Sequence, residues 1–441
     1  MKHAYLKDLQ GRLLGSVTDD PDALEHFSTD QSIFQATPTA IVYPQNTADV
    51  RKTVQFAAER AAAGSPLPIV PRGKGADQGG GAVGEGLQLI FPAHMNKLIR
   101  LDRDSVTVQP GILFSTLQQT LYTHLKHIPQ TPIGADYTTV GGAVSSASAG
   151  EKSVKYGTIR QAVRSLKVVL ADGSLIQTHR ISARELNRKK GYSTLEGELY
   201  RKFDGLLQDH EDLIKNRRIT GVQNSAGYDL WSARGSNGSF DLTPVFIGAQ
   251  GTLGIITEIT LGIAPYSPRT TLLVGYFDSV VGAGEAIKRL RSLGPSAIEL
   301  VDQHLLAFHR SLRPSDLEGL VPDKLPALVV FVEFDNTSQF AQKLRSTGPP
   351  VCCTATVEPF AFRPTRSNRW RSGKYGALRS PPGRAMVRKK PCHLSKMPPF
   401  RSKNCPSLSK KPINCSRSTT WKPPFGATPA SEIFGSSRAS T

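Results

Sequence analysis

PRGKGADQGGGAVGEG, residues 71–86, carries seven glycines in sixteen positions. The apolar run PLPIV leads into it and LQLIF follows it. Both runs read as strands, so the glycines fall on a strand-to-strand loop. Glycine admits positive φ and lets a ligand approach the main chain closely. Successive backbone N–H groups in such a loop can form a nest for a diphosphate. Glycine content alone fits a flexible surface loop equally well. GxxxxGK[ST] is absent, which excludes a P-loop in this stretch. Gly79-x-Gly81-x-x-Gly84 satisfies GxGxxG on paper, but strand-like EGLQLIF follows where that motif requires a helix.

Working outward, AIVY (40–43) reads as a strand and residues 47–62 as a helix, with Asn46 or Thr47 as its cap and Asp49 in its first turn. Residues 105–109 read as a strand. GILFSTLQQTLYTHLKH (111–127) reads as a helix with Ile112, Leu113, Leu117 and Leu121 at apolar positions. LKVVLADGSLIQT predicts a hairpin turning at Asp172-Gly173. LEGELYRKFDGLLQDHEDLIK (195–215) predicts one helix. The strands of IGAQGTLGIITEITL (247–261) close this block. From Arg269 a strand–helix–strand–strand pattern begins anew, the mark of a separate α+β unit.

The net charge of +19 is not spread along the chain. Residues 346–441 hold 18 Lys and Arg against two acidic residues, whereas the first 345 hold 37 against 34. All five cysteines, Cys352, Cys353, Cys392, Cys405 and Cys415, lie in that tail at spacings that match no metal motif. The tail lacks apolar periodicity, so it cannot offset the entropy of ordering and is predicted to be disordered. Back-translated and read one base earlier, Pro391–Phe400 can encode ALPFIEDAAV, and the text through Ser437 becomes amphipathic, with acids interleaved. That points to a change of reading frame near residues 343–347. No run of about 18 apolar residues appears, and the N-terminal stretch has no signal-peptide core, so a cytoplasmic protein without a membrane span is expected.

Four stretches in order, PRGKGADQGGGAV, TPIGADYTTVGGAVSSASAG, YGTIRQAVRSLKVVLADG and IGAQGTLGIITE, resemble the FAD-binding domain of the vanillyl-alcohol-oxidase (PCMH) type. The chain is most similar to the D-lactate dehydrogenase and glycolate oxidase FAD-subunit group of that family. The resemblance implies an α+β fold: a two-subdomain PCMH-type FAD-binding domain over 37–265, behind an N-terminal extension over 1–36. A truncated α+β cap would follow over 266–345, and then the tail over 346–441. It also implies that Arg72, Gly73, Lys74, Gly75, Ala76 and Asp77 wrap the FAD diphosphate through their main-chain N–H groups. Lys74 stands where the family has glycine, which predicts strain at a positive φ and an added charge. Ala76 stands where the family has threonine. Thr139, Val140, Gly141 and Gly142 match a turn near the isoalloxazine, with Ala149 and Gly150 after it. Gly251, Thr252, Leu253 and Ile255 match an element on the adenine and ribose side. Both glycine-bearing segments are expected to close their amides around one diphosphate.

Relatives that attach flavin covalently use a histidine in the first loop. None lies between Pro71 and Gly86, so non-covalent FAD is implied. Family chemistry is oxidation of a 2-hydroxy acid such as D-lactate or glycolate, with hydride passing to the flavin and a base taking the hydroxyl proton. The family's base and carboxylate-binding groups sit in the cap around Glu-Asp and Gly-His elements, which this chain lacks in its written frame. No catalytic residue is assigned; His94, His124, His127, His304 and His309 read as surface or packing residues. Two rival readings are an FAD-binding but inactive product of a frame-shifted gene, and a nucleic-acid binder through the basic tail. The first 345 residues are near neutral, so no nucleic-acid partner is expected. The sequence names neither the substrate nor the electron acceptor.

Overall fold

The computed structural model describes residues 4–218, 227–266, 270–318 and 321–335. The tail over 346–441, its predicted disorder and the frame change near 343–347 lie outside the described residues.

The first layer is a four-stranded sheet of β1 (Ser16–Thr18), β2 (Ala40–Tyr43), β3 (Ile69–Arg72) and β4 (Leu87–Ile90), in the order β1-β2-β4-β3. β2 and β3 both run parallel to β4, and β1 runs antiparallel to β2. Parallel neighbours need a crossover, and the helix Thr47–Ala62 supplies it between β2 and β3. The Asn46 side chain accepts from the Asp49 N–H at 3.0 Å, so asparagine is the cap. Asp49, itself buried, accepts from the N–H groups of Leu14, Gly15 and Gln45. The helix Ala4–Arg12 buries Leu6 and Leu9 against Val50, Val54, Leu87 and Leu89, so the N-terminal residues are built into this layer.

The second layer contains β5 (Leu98–Leu101), β6 (Ser105–Val108), β7 (Lys126–His127), β8 (Val163–Val169), β9 (Leu175–Thr178), β10 (Ile255–Gly262) and β11 (Ala264–Pro265). Five of these form an antiparallel sheet in the order β5-β6-β10-β8-β9, while β7 pairs with β11. Its core gathers Phe114, Leu117, Leu121, Tyr200 and Phe240. The β8–β9 hairpin turns at Asp172-Gly173; Gly173 sits at φ 79° and its carbonyl accepts from Arg51 Nε of the first layer at 2.8 Å. Val169 and Ile255, on β8 and β10, pack into the first layer's core and join the two subdomains.

Two predicted helices differ. The one expected over 111–127 spans Phe114–Thr123 only, because Leu125 turns to φ 54° and Lys126–His127 pair as a strand. The one expected over 195–215 breaks at His210 (φ −118°, ψ 20°) into Leu195–Asp209 and Glu211–Asn216.

The last described unit is a three-stranded antiparallel sheet of β12 (Thr271–Phe277), β13 (Ala297–Asp302) and β14 (Leu328–Phe334), ordered β12-β14-β13. The helix Val280–Arg291 covers it through Ala283 and Leu290 against Phe277, Val330 and Val332. Its last strand meets the small-residue segment of the second layer. Lys152 pairs with Glu333 at 2.7 Å, and Asp335 accepts from Lys155 and from the Tyr156 hydroxyl, each at 2.5 Å.

Candidate functional site

One cleft is lined by Pro71–Asp77, Gly81 and Ala82 of the β3–β4 loop, by Pro110, by Thr138, Thr139, Gly141 and Gly142, and by Gln250 and Gly251. It holds about 1040 Å³ of empty space, its open mouth included. The segments are in mutual contact. A Cβ on Gly73 would collide with Thr139 Oγ1, and one on Gly251 would lie 2.6 Å from Pro71 Cγ.

The first loop is held from within. The Arg72 guanidinium, buried, donates to the carbonyls of Phe27, Ala82 and Thr29 at 3.2, 2.9 and 2.7 Å. Burial lowers the Arg72 pKa, while the charge of Asp30 acts in the opposite direction. Asp77 accepts from the N–H groups of Gly79 and Gly81 at 3.1 and 2.6 Å and so fixes the turn that follows. Positive φ falls on Gly75 (72°) and Gly80 (82°). Lys74 is exposed and outside the left-handed region, so the strain expected at that position does not arise. The N–H groups of Lys74, Gly75, Ala76, Asp77 and Gln78 donate to no group among the described residues. Four of these residues, Lys74 through Asp77, line the cleft, so the loop brings a run of amides without protein partners to its wall.

The second segment is built differently. Thr139 caps the helix Val140–Ser145, its hydroxyl accepting from the Gly142 N–H at 3.1 Å. Val140 and Gly141 donate to the carbonyls of Ile112 and Pro110 at 2.9 and 2.8 Å. All three amides are therefore spent on protein, and the expectation that this turn offers donors to a diphosphate is corrected. What the turn supplies is a close, flat wall: a Cβ on Gly141 would lie 2.6 Å from Pro110 Cβ.

Ten of the sixteen anticipated residues line the cleft: Arg72 through Asp77, Thr139, Gly141, Gly142 and Gly251. Six do not. Val140 and Ile255 are buried in the two cores. The Ala149 carbonyl accepts from Ile133, and Gly150 packs against the Thr131 carbonyl. The Thr252 hydroxyl hydrogen-bonds to Tyr228 at 2.9 Å, and Leu253 is exposed. Ser145, Ser146, Ser148 and Gln250 line the cleft and were not anticipated. Their signal was the run of small polar residues, which reads only as an inability to build a core. Gln250 holds φ 51° and donates its N–H to the Ser145 carbonyl, strain placed beside the cleft. Ser148 Oγ is buried without a partner.

The protein family described as FAD binding domain matches residues 38–179. The chain carries an FAD-binding domain. The match spans the free-donor loop, the capped turn and the serines, all of which this domain turns toward one cleft. The chain is 28% identical over 349 residues to a D-2-hydroxyglutarate dehydrogenase of Pantoea ananatis, covering 76% of this chain and 33% of that protein. It is 26% identical over 279 residues to the glycolate oxidase subunit GlcD of Bacillus subtilis, covering 62% and 47%. It is 24% identical over 324 residues to a D-lactate dehydrogenase of Archaeoglobus fulgidus, covering 72% and 59%. The chain thus spans less than two thirds of these relatives. An alkyldihydroxyacetonephosphate synthase shares the fold at a TM-score of 0.55 and 17% identity, covering 77% of this chain and 57% of that one.

The FAD-binding domain fits its cofactor on local grounds. Free amides at Lys74–Gln78 suit a diphosphate, and the orphaned Ser148 hydroxyl has hydrogen-bonding capacity left for a ligand. Asp77 is the one carboxylate on the cleft wall among the described residues, and both glycine amides already engage it. The ring of His127 is half-buried against Tyr266, with its pKa lowered by burial and then by Lys152, and its Nδ1 has no partner. It reads as packing at the β7–β11 pair. Among the described residues no group of His, Cys, Asp or Glu could hold a metal, and no helix is long and apolar enough to cross a membrane.

Proposed function

We propose that the chain is an FAD-dependent oxidoreductase acting on a 2-hydroxy acid of the D-lactate, glycolate or D-2-hydroxyglutarate kind. The observation that carries this reading is the run of amides without protein partners at Lys74–Asp77, lining one cleft with Thr139, Gly141 and Gly142, within residues matched by the FAD-binding family. In this reading the N–H groups of Lys74 through Gln78 hold the diphosphate. Thr139, Gly141 and Gly142 shape the isoalloxazine side, and Gly251 the adenine and ribose side. The domains run over 37–265 for FAD and 266–345 for the cap, in a cytoplasmic protein. Bound FAD supplies the acceptor for the C2 hydride of the substrate. The chain's part is to orient the substrate and exclude water. The test is anaerobic: protein loaded with FAD is mixed with each acid and the flavin absorbance followed. Bleaching by one of them is expected; a protein that shows no flavin bands after loading overturns the reading.

A second reading, FAD binding without turnover, is favoured by one observation. The one carboxylate lining the cleft among the described residues, Asp77, already accepts two loop amides at Oδ2, and no described histidine lines the cleft beside it. Flavin bands that persist with every acid would select this reading.

A further inference from the structure

The diphosphate loop does not hold its shape alone. Its free amides lie between Arg72 and Gly79, and the contacts that fix both ends come from residues 27–34, ahead of the proposed domain boundary. Arg72 Nη1 and Nη2 donate to the carbonyls of Phe27 and Thr29, and Nη1 donates also to Ala82 at the far end of the loop. Gln31 donates its N–H to the Gly75 carbonyl at 3.1 Å. The Phe34 ring lies against Gly80, where a Cβ would sit 2.7 Å from it. A Cβ on Gly75 would collide with Arg72 Nη2, so the guanidinium lies directly under the free donors.

We propose that Arg72 and the segment Phe27–Gln31 are the positioning elements of the diphosphate site: the buried guanidinium ties the N-terminal segment to both ends of the loop and backs its free amides with positive charge. No carboxylate forms an ion pair with Arg72 among the described residues; Asp30 acts on it only at longer range. Guanidinium stays ionised in proteins, and three fixed carbonyls match its planar fork. A charge left without an ion pair behind a row of N–H groups favours an anion in front of them. A dinucleotide diphosphate is the ligand whose charge and reach match. The inference rests on the reading of Lys74–Gln78 as the diphosphate loop.

The experiment uses the full chain stripped of flavin. FAD affinity is read by flavin fluorescence, ADP affinity by displacement, and apoprotein stability by Tm. Arg72→Met is expected to raise the Kd for FAD and for ADP together by about tenfold or more, with Arg72→Lys between it and wild type. Gln31→Pro, which removes the N–H given to Gly75, is expected to weaken both ligands. Gln31→Pro also serves if Arg72→Met does not fold. A merely structural role would lower Tm and leave the Kd of the folded fraction within about twofold, which overturns the proposal. Wild type that binds FAD while ADP fails to displace it overturns the diphosphate-loop reading, and the proposal with it.

Discussion

The β3–β4 loop and the Thr139–Gly142 turn look alike on paper, each a short glycine-bearing stretch of a flavin motif, yet they do opposite work. In the loop, five successive amides have no partner among the described residues, and the side chains of Arg72 and Asp77 do the bracing. In the turn, every amide from Val140 to Gly142 is committed, and glycine serves only to let Pro110 come close. The loop supplies hydrogen-bonding capacity and the turn supplies shape. Glycine content therefore says that backbone comes near something; whether that neighbour is ligand or protein depends on where the donors go.

Substitutions can break this comparison at graded cost. The largest effect is expected for Gly73→Ala, whose Cβ would strike Thr139 Oγ1 where loop and turn meet. Overpacking typically costs about 1–3 kcal/mol, so both Tm and FAD affinity should fall, read by calorimetry and fluorescence titration. Ala76→Pro deletes one free donor without crossing a protein hydrogen bond. It is predicted to raise the FAD Kd about tenfold, near 1.4 kcal/mol, with little change in apoprotein Tm. A Tm loss with unchanged Kd would show that the loop amides are not the ligand's donors. Thr139→Val removes the cap of Val140–Ser145 and should cost about 1 kcal/mol of stability, seen in denaturant melts of the apoprotein. Lys74→Gln is expected to weaken FAD binding only a few-fold, roughly 0.5 kcal/mol, and to reduce its salt dependence.

The smallest effect on cofactor binding should come from a contact outside both segments. Burial pulls Lys155 down, but its bonds to Asp335 and Tyr156 hold it above its ordinary value. Burial pushes Asp335 up, but bonds from Lys155 and Tyr156 hold it below the usual carboxylate range. The signs follow from linkage. The Asp335 contribution is present above the carboxyl's unfolded value and is lost as pH falls through its depressed one. The Lys155 contribution is present below its unfolded value and is lost as pH rises through the raised one. Hydrogen-exchange protection over residues 152–156 and 328–335, taken relative to the intrinsic exchange rate at each pH, should therefore be greatest at intermediate pH and fall on both sides. Asp335→Asn should flatten the acid side while leaving FAD affinity unchanged.

Much of the scaffold was legible. The strand at Ala40–Tyr43, the Asn46 cap and the Asp172-Gly173 hairpin followed from local chemistry, since period, cap and turn residues act over a few positions. Less legible were the short strands Ser16–Thr18 and Lys126–His127, which exist because Ile41–Tyr43 and Ala264–Pro265 offer them edges. Ser145, Ser146, Ser148 and Gln250 escaped notice because small polar residues carry no periodic signal and gain meaning only when the fold turns them to one cleft.

By itself the sequence determined the order of elements, the glycines that permit close backbone approach, and the break in charge at residue 346, because each depends on neighbours along the chain. Tertiary structure alone decided which amides are free. A donor's availability depends on carbonyls that are distant in sequence, such as Ile112 and Pro110 for the turn. The carbonyls of Phe27 and Thr29 likewise occupy the arginine beneath the loop and leave its amides open.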